Sequence, residues 1–326
     1  MNQTSIDPSV WKKHTWQNRF QSLLLISLMG AFLALLGWLL WGIYGLIILL
    51  ISGGLFILIS PTASPALVMR LYRAKALTYQ QAPTHYAILQ ALAQRAKLSK
   101  VPTLYYLPTH IVNAFAVGRK NQSAIAVTEG LLNTLNTREF IGVMAHEISH
   151  IQHNDIWVMG LADLFSRLST FLSLTGLLLL LVNLPLVLVS AVSINWFAIL
   201  VLIFSPSLIS LAQLGLSRVR EYDADLNASR LTGDPEGLAI ALVKIERAGA
   251  SWMERIFLPG RRIPEPSLLR THPSTEERVQ RLIKLKGSGD FHHSRKQMHW
   301  VSEDIHPFSQ KASAYRPRWR ISGLWH

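Results

Sequence analysis

Two histidines and a glutamate fall within five residues, His146-Glu147-Ile148-Ser149-His150, in a chain of 326 residues of which half are hydrophobic. The apolar residues around them, Phe140, Val143, Met144, Ile148 and Ile151, recur at helical spacing, and Asn136 followed by Glu139 is a helix-start capping pair. On a helix, residues four apart share one face, so both imidazoles can point at one ion while Glu147 stands one step beside them. Two imidazoles and a third protein ligand leave the fourth position of a tetrahedral Zn²⁺ open to water, whose pKa then falls to about 7. A carboxylate at that point can take a proton from the water and pass it to a departing amine. Two histidines and a glutamate on a solvated helix face have the same pattern, so a third ligand has to decide between the readings.

His153 is nearest in sequence, but on a straight helix it lies about 10 Å along the axis from His146, too far to share the ion. It is expected to be solvated or to stand behind the ligands. The better candidate is Glu221 in Arg220-Glu221-Tyr222-Asp223-Ala224-Asp225, where Glu221 and Asp225 are again one helical turn apart. One carboxylate can bind the ion while the other accepts the outer N–H of a ligand histidine, fixing its tautomer. Taken alone, this segment also fits a charged, solvated helix face. The chain has no cysteine, so any metal must be held by His, Asp or Glu.

The elements that position these residues alternate between polar and very apolar chain. No Asp, Glu, Lys or Arg occurs in residues 20–69 or 168–217, and the mean hydropathy is +0.26. A single helix of that length would run roughly 75 Å against a hydrocarbon core of roughly 30 Å, so each tract is expected to fold back as a helical hairpin. In the first, Trp41-Gly42 is the expected turn, with Trp38, Trp41 and Tyr44 as interfacial aromatics. In the second, Asn183 and Pro185 interrupt the run, which predicts one helix ending near Val182 and another starting near Ile194, with a kink at Pro206; a re-entrant hairpin is the alternative. The expected division is therefore a cytosolic segment 1–20, a transmembrane hairpin 21–60, a first polar part 61–166, a second hairpin 167–216, a second polar part 217–286 and a basic tail 287–326.

Lys12, Lys13 and Arg19, then Arg70, Arg73 and Lys75, flank the first hairpin, and Arg167, Arg218 and Arg220 flank the second, while neither tip carries a cation. The positive-inside tendency puts both termini and every polar part in the cytosol. The net charge of +13 is explained by such flanks better than by nucleic acid, for which no interleaved basic and aromatic platform is present. In the polar parts, Pro83–Lys97 reads as an amphipathic helix, and Thr103–Leu107, Asn113–Gly118 and Ala124–Thr128 read as short strands of a small sheet. The tail carries His292, His293, His299, Arg316, Arg318 and Arg320 without a helical period, so disorder is expected there.

Four motifs in this order, Asn113-Ala114-Phe115-Ala116-x-Gly118, His146-Glu147-x-x-His150, Arg220-Glu221-Tyr222-x-Ala224-Asp225 and Thr271-His272-Pro273-Ser274-Thr275-Glu276-Glu277-Arg278, resemble the HtpX-type membrane zinc metallopeptidases, relatives of the CAAX prenyl proteases. The resemblance implies a mainly α fold with a small β-sheet, a gluzincin domain interrupted by and anchored through transmembrane hairpins in a bacterial-type cytoplasmic membrane. It implies one Zn²⁺ per chain on His146, His150 and Glu221, with Glu147 as catalytic base and Asp225 and Arg278 behind the ligands. It also implies an oxyanion donor at His272, joined by Arg278, and an edge strand, Asn113, Ala114, Phe115, Ala116 and Val117, on which extended substrate lies. An unpaired strand beside a metal can indeed hold a peptide by main-chain hydrogen bonds. The activity implied is endoproteolysis of membrane or misfolded proteins as quality control. A dedicated prenyl-protein processor and a silent zinc-binding scaffold are the alternatives.

Overall fold

The computed structural model describes residues 8–59, 64–188, 195–257 and 274–285. Its elements in chain order are α1 (Pro8–Ile59), α2 (Pro65–Leu71), β1 (Lys75–Ala76), α3 (Pro83–Arg95), β2 (Thr103–Leu107), β3 (Ala114–Arg119), β4 (Gln122–Thr128), α4 (Glu129–Thr134), α5 (Thr137–His153), α6 (Asp155–Leu188), α7 (Trp196–Thr232), α8 (Pro235–Phe257) and α9 (Thr275–Lys284). The fold is mainly helical, with one four-stranded sheet of order β1-β2-β4-β3. His272, the tail from 287 and the tip of the second apolar tract at 189–194 lie outside the described residues.

Among the described residues three helices are long and apolar enough to cross a membrane, Thr15–Ile51, Asp155–Pro185 and Trp196–Thr232. The first is broken at Trp41 and Gly42, whose backbones are non-helical, Gly42 with φ 61°. The two arms then meet so closely that a Cβ on Gly45 would fall on the carbonyl oxygen of Gly37. Only glycine fits both requirements, a left-handed φ at the bend and a backbone approach beside it. Between the apolar helices, Met29, Ala162, Ile209 and Leu216 form one buried cluster, and Leu33, Leu36, Leu172 and Leu202 another. Their outer faces leave Leu24, Leu28, Phe171, Leu178, Phe197 and Phe204 more than half exposed, an apolar surface that suits lipid.

The second tract departs from the expected break at Asn183. α6 continues to Leu188 with Pro185 inside it, and the Asn183 side chain donates to the Leu179 carbonyl oxygen at 2.8 Å instead of interrupting the helix. α7 likewise runs through Pro206. A proline there leaves the Leu202 carbonyl without its backbone donor, and the Ser205 hydroxyl donates to that oxygen at 2.8 Å. α7 therefore carries from the apolar layer into the polar part without a break.

α5 lies at the centre of the polar part. The Asn136 side chain accepts from the Glu139 amide, and the Glu139 carboxylate accepts from the Asn136 amide, closing the capping box. Met144, Ile148 and Ile151 on α5 pack with Ile88 and Leu89 of α3, Ile125 and Val127 of β4, Leu226 of α7 and Leu238 of α8 in one buried cluster. β2 and β4 run parallel, β3 pairs antiparallel with β4, and β3 forms one edge of the sheet.

Candidate metal centre

The burial of one face of α5 against the sheet and α8 turns the face carrying His146, Glu147 and His150 toward α7. The two imidazole rings stand edge to face with centroids 4.6 Å apart and Nε2 atoms 3.1 Å apart. Glu221 of α7 reaches both: its Oε2 is 3.4 Å from His146 Nε2, and its Oε1 is 3.7 Å from His150 Nε2. One ligand atom from each of the three residues lies within 4.8 Å of the others. Ligands at about 2.0–2.1 Å from a tetrahedral ion are separated by about 3.3 Å, so these spacings match a single small cation. The set is hard and borderline, two imidazoles and a carboxylate, which suits zinc and excludes the thiolate sites.

Each imidazole is braced from behind. His146 Nδ1 lies 3.0 Å from Asp225 Oδ1, and Asp225 is gripped by the Arg278 guanidinium, Nε to Oδ2 at 2.7 Å and Nη2 to Oδ1 at 2.6 Å. Arg278 also reaches Glu221 Oε2 at 3.1 Å, so one cation bridges two carboxylates of the site. The guanidinium thus lies behind the ligands, turned toward Asp225 and Glu221. The carboxylates also hold the Arg278 pKa above the ordinary arginine value against the opposing effect of burial. For His146, burial favours the neutral ring, but hydrogen bonds to Asp225 and Glu221 outweigh it and raise the pKa. A cation at this point therefore competes with a proton for the His146 ring.

Glu147 is 9% exposed, lines the same cleft as His146, His150 and Glu221, and accepts a hydrogen bond from the Ala116 amide of β3. Burial pushes its pKa up, His146 and His150 pull it back, and the net shift is upward. Its contact with the β3 amide holds the carboxylate beside the two imidazoles, within the cleft where a general base would act. The cleft in front of it is about 590 Å³, with Asn113, Ala114, Phe115 and Ala116 along one side and Val143, Leu238 and Leu242 on another. Val117 does not line it; its side chain packs with Met69, Leu107 and Ala124 behind the sheet.

Asp155 and Arg220, which no motif or spacing in the sequence singles out as a pair, complete the surroundings of His150. His150 Nδ1 lies 2.7 Å from Asp155 Oδ2, and the other oxygen of Asp155 accepts from Arg220. The available signal was Asn154, a residue type that favours a left-handed helix cap just past the last histidine. His153 stands outside the cluster, its Nδ1 3.7 Å from Asp223 Oδ2.

Residues 80–286 match peptidase family M48. The chain is 37% identical to a protease HtpX homolog of Acaryochloris marina over 68% of this chain and 79% of that protein. It is 35% identical to a protease HtpX homolog of Pyrococcus abyssi over 80% of this chain and 93% of that protein. Among solved structures, the crystal structure of S. mikatae Ste24p is similar at 21% identity and a TM-score of 0.48, covering 83% of this chain and 66% of that one.

Proposed function

The chain belongs to peptidase family M48, a metal-dependent membrane protease, and from that premise we propose that it is a zinc endopeptidase that cuts extended segments of membrane or misfolded proteins at the cytosolic face. The observation that carries the reading is the convergence of His146, His150 and Glu221 with Glu147 one step away and the β3 edge opposite. In it, His146, His150 and Glu221 would hold one Zn²⁺, which would supply Lewis-acid polarisation of a carbonyl and acidify water. Glu147 Oε takes the proton from the attacking water and delivers it to the leaving amine. The β3 edge offers main-chain donors and acceptors to an extended peptide, so recognition rests mainly on the backbone and side-chain preference is broad. Asp225, held by Arg278, keeps His146 in the tautomer whose Nε2 faces the ion. His272, outside the described residues, is proposed to donate to the oxyanion of the tetrahedral intermediate.

The test is Glu147→Gln in the full-length protein purified with its metal. Bound zinc is expected to equal wild type while cleavage of an unfolded protein substrate falls by about 10²–10⁴. Cleavage at the wild-type rate would remove the mechanism, and loss of zinc with activity would move Glu147 from base to ligand.

A further inference from the structure

We infer that Asp155 and Arg220 form a positioning pair for His150, and that through them the metal-ligand geometry is set by how the two apolar helices α6 and α7 are placed against each other. The inference rests on the metal reading given above.

The site contains two parallel chains of contact. His146 is backed by Asp225, and Asp225 by Arg278. His150 is backed by Asp155, and Asp155 by Arg220. Both oxygens of Asp155 are used, Oδ2 at His150 Nδ1 and Oδ1 at Arg220, which fixes the plane of the carboxylate and with it the ring. Asp155 is 3% exposed and Arg220 8%, so the pair is held in a low-dielectric layer. With its proton at Nδ1 on the carboxylate, His150 keeps the Nε2 lone pair directed at Glu221 and His146, 3.7 Å and 3.1 Å away.

This contact requires a specific break in the chain. On a continuous helix the residue five beyond His150 lies about 140° round the axis and cannot meet it. Asn154 adopts φ 55° and ψ 36°, capping α5 and turning the chain so that Asp155 comes back beside His150 as the first residue of α6. Arg220 is the immediate neighbour of Glu221 on α7. One carboxylate thus touches a ligand on α5, opens one apolar helix and is tied to the other beside the third ligand.

A pair that merely stapled helices would change stability and leave the metal alone. The two roles separate in a cobalt titration of the full-length chain in lipid nanodiscs, with a competing chelator for affinity and visible absorption for ligand geometry. Asp155→Ala is expected to weaken Co²⁺ binding by about 10–100-fold and to alter the absorption; Arg220→Ala should shift both in the same direction. Asp155→Asn, which keeps one acceptor but loses the charge, should bind between wild type and Asp155→Ala. Arg138→Ala cuts an ion pair to Asp234 far from the ligands and is expected to lower the melting temperature with Co²⁺ binding unchanged. Asp155→Ala binding within about twofold of wild type with the same absorption would overturn the inference. Should that variant not fold, Asp155→Asn is read alone: weaker binding supports the pair, and equal binding overturns it. Wild type that takes up no Co²⁺ would overturn the underlying metal reading and this inference with it, whereas failure in the variants alone leaves that reading standing.

Discussion

At the scale of single residues, the site joins groups that are costly to bury and become useful by being buried together. Glu147 illustrates the cost. Its pKa lies above the ordinary value of 4.5, chiefly because burial opposes its charge. A carboxylate with a raised folded-state pKa binds its proton more tightly when folded, so stability falls as pH rises from the unfolded value through the folded one. Above that window the ionised side chain is a burden on the fold. Metal-free Glu147→Gln is therefore expected to melt a few degrees above metal-free wild type at pH 7, with the gap closing as pH is lowered toward 4.5. Calorimetry showing a lower midpoint for the variant would contradict this. The residues that meet here were legible where a local rule covers them. His146 and His150 share a face by helical spacing; Glu221 and Asp225 do so on a second helix, where spacing alone also fits a solvated face and the resemblance carried by the four motifs decides. Asp155 was not legible, since its approach to His150 depends on the left-handed turn at Asn154, which no helical periodicity encodes. The Ala116 amide at Glu147 was hidden for a related reason: it is a contact of backbone across elements, and side-chain patterns carry no trace of it.

At the scale of elements, the sequence signals were strongest where they are short-range. The capping box at Asn136 and Glu139 marks the start of α5, and the short run Thr103–Leu107, bounded by Pro102 and Pro108, marks β2. β1, only Lys75–Ala76, carries no pattern of its own and exists because β2 offers it an edge. The expected interruption at Asn183 failed because a polar side chain in an apolar helix can satisfy itself on the preceding turn, as Asn183 does at Leu179. Ser205 does the same at Leu202, where Pro206 has removed the backbone donor. Ser205→Ala strands that buried carbonyl, and the expected cost is about 1 kcal/mol, measured as a lower denaturant midpoint in detergent micelles. No change would mean that the proline's missing bond is made good elsewhere.

At the scale of the whole molecule, the candidate metal-binding cluster is assembled from chain segments that an apolar hairpin separates in sequence, and α7 spans both environments in one helix. That continuity puts Glu221 at a fixed height relative to the apolar layer. We propose that this height is the cytosolic boundary, a reading that rests on the cationic flanks of both hairpins. The absence of cysteine makes the topology directly testable. Trp41→Cys, at the bend of the first hairpin, is expected to react with a membrane-impermeant maleimide on intact cells, and Arg119→Cys, at the end of β3, only after lysis. The reverse pattern would place the cleft on the outer side. The central claim is that one ion is held by two imidazoles from one helical turn and a carboxylate from the second half of the chain. X-ray absorption at the zinc edge of the loaded full-length protein addresses it most directly. The account predicts a shell of light atoms at about 2.0–2.1 Å with the outer scattering of two imidazoles and no sulfur. A shell lacking imidazole, or a purified protein that holds no zinc, would contradict it.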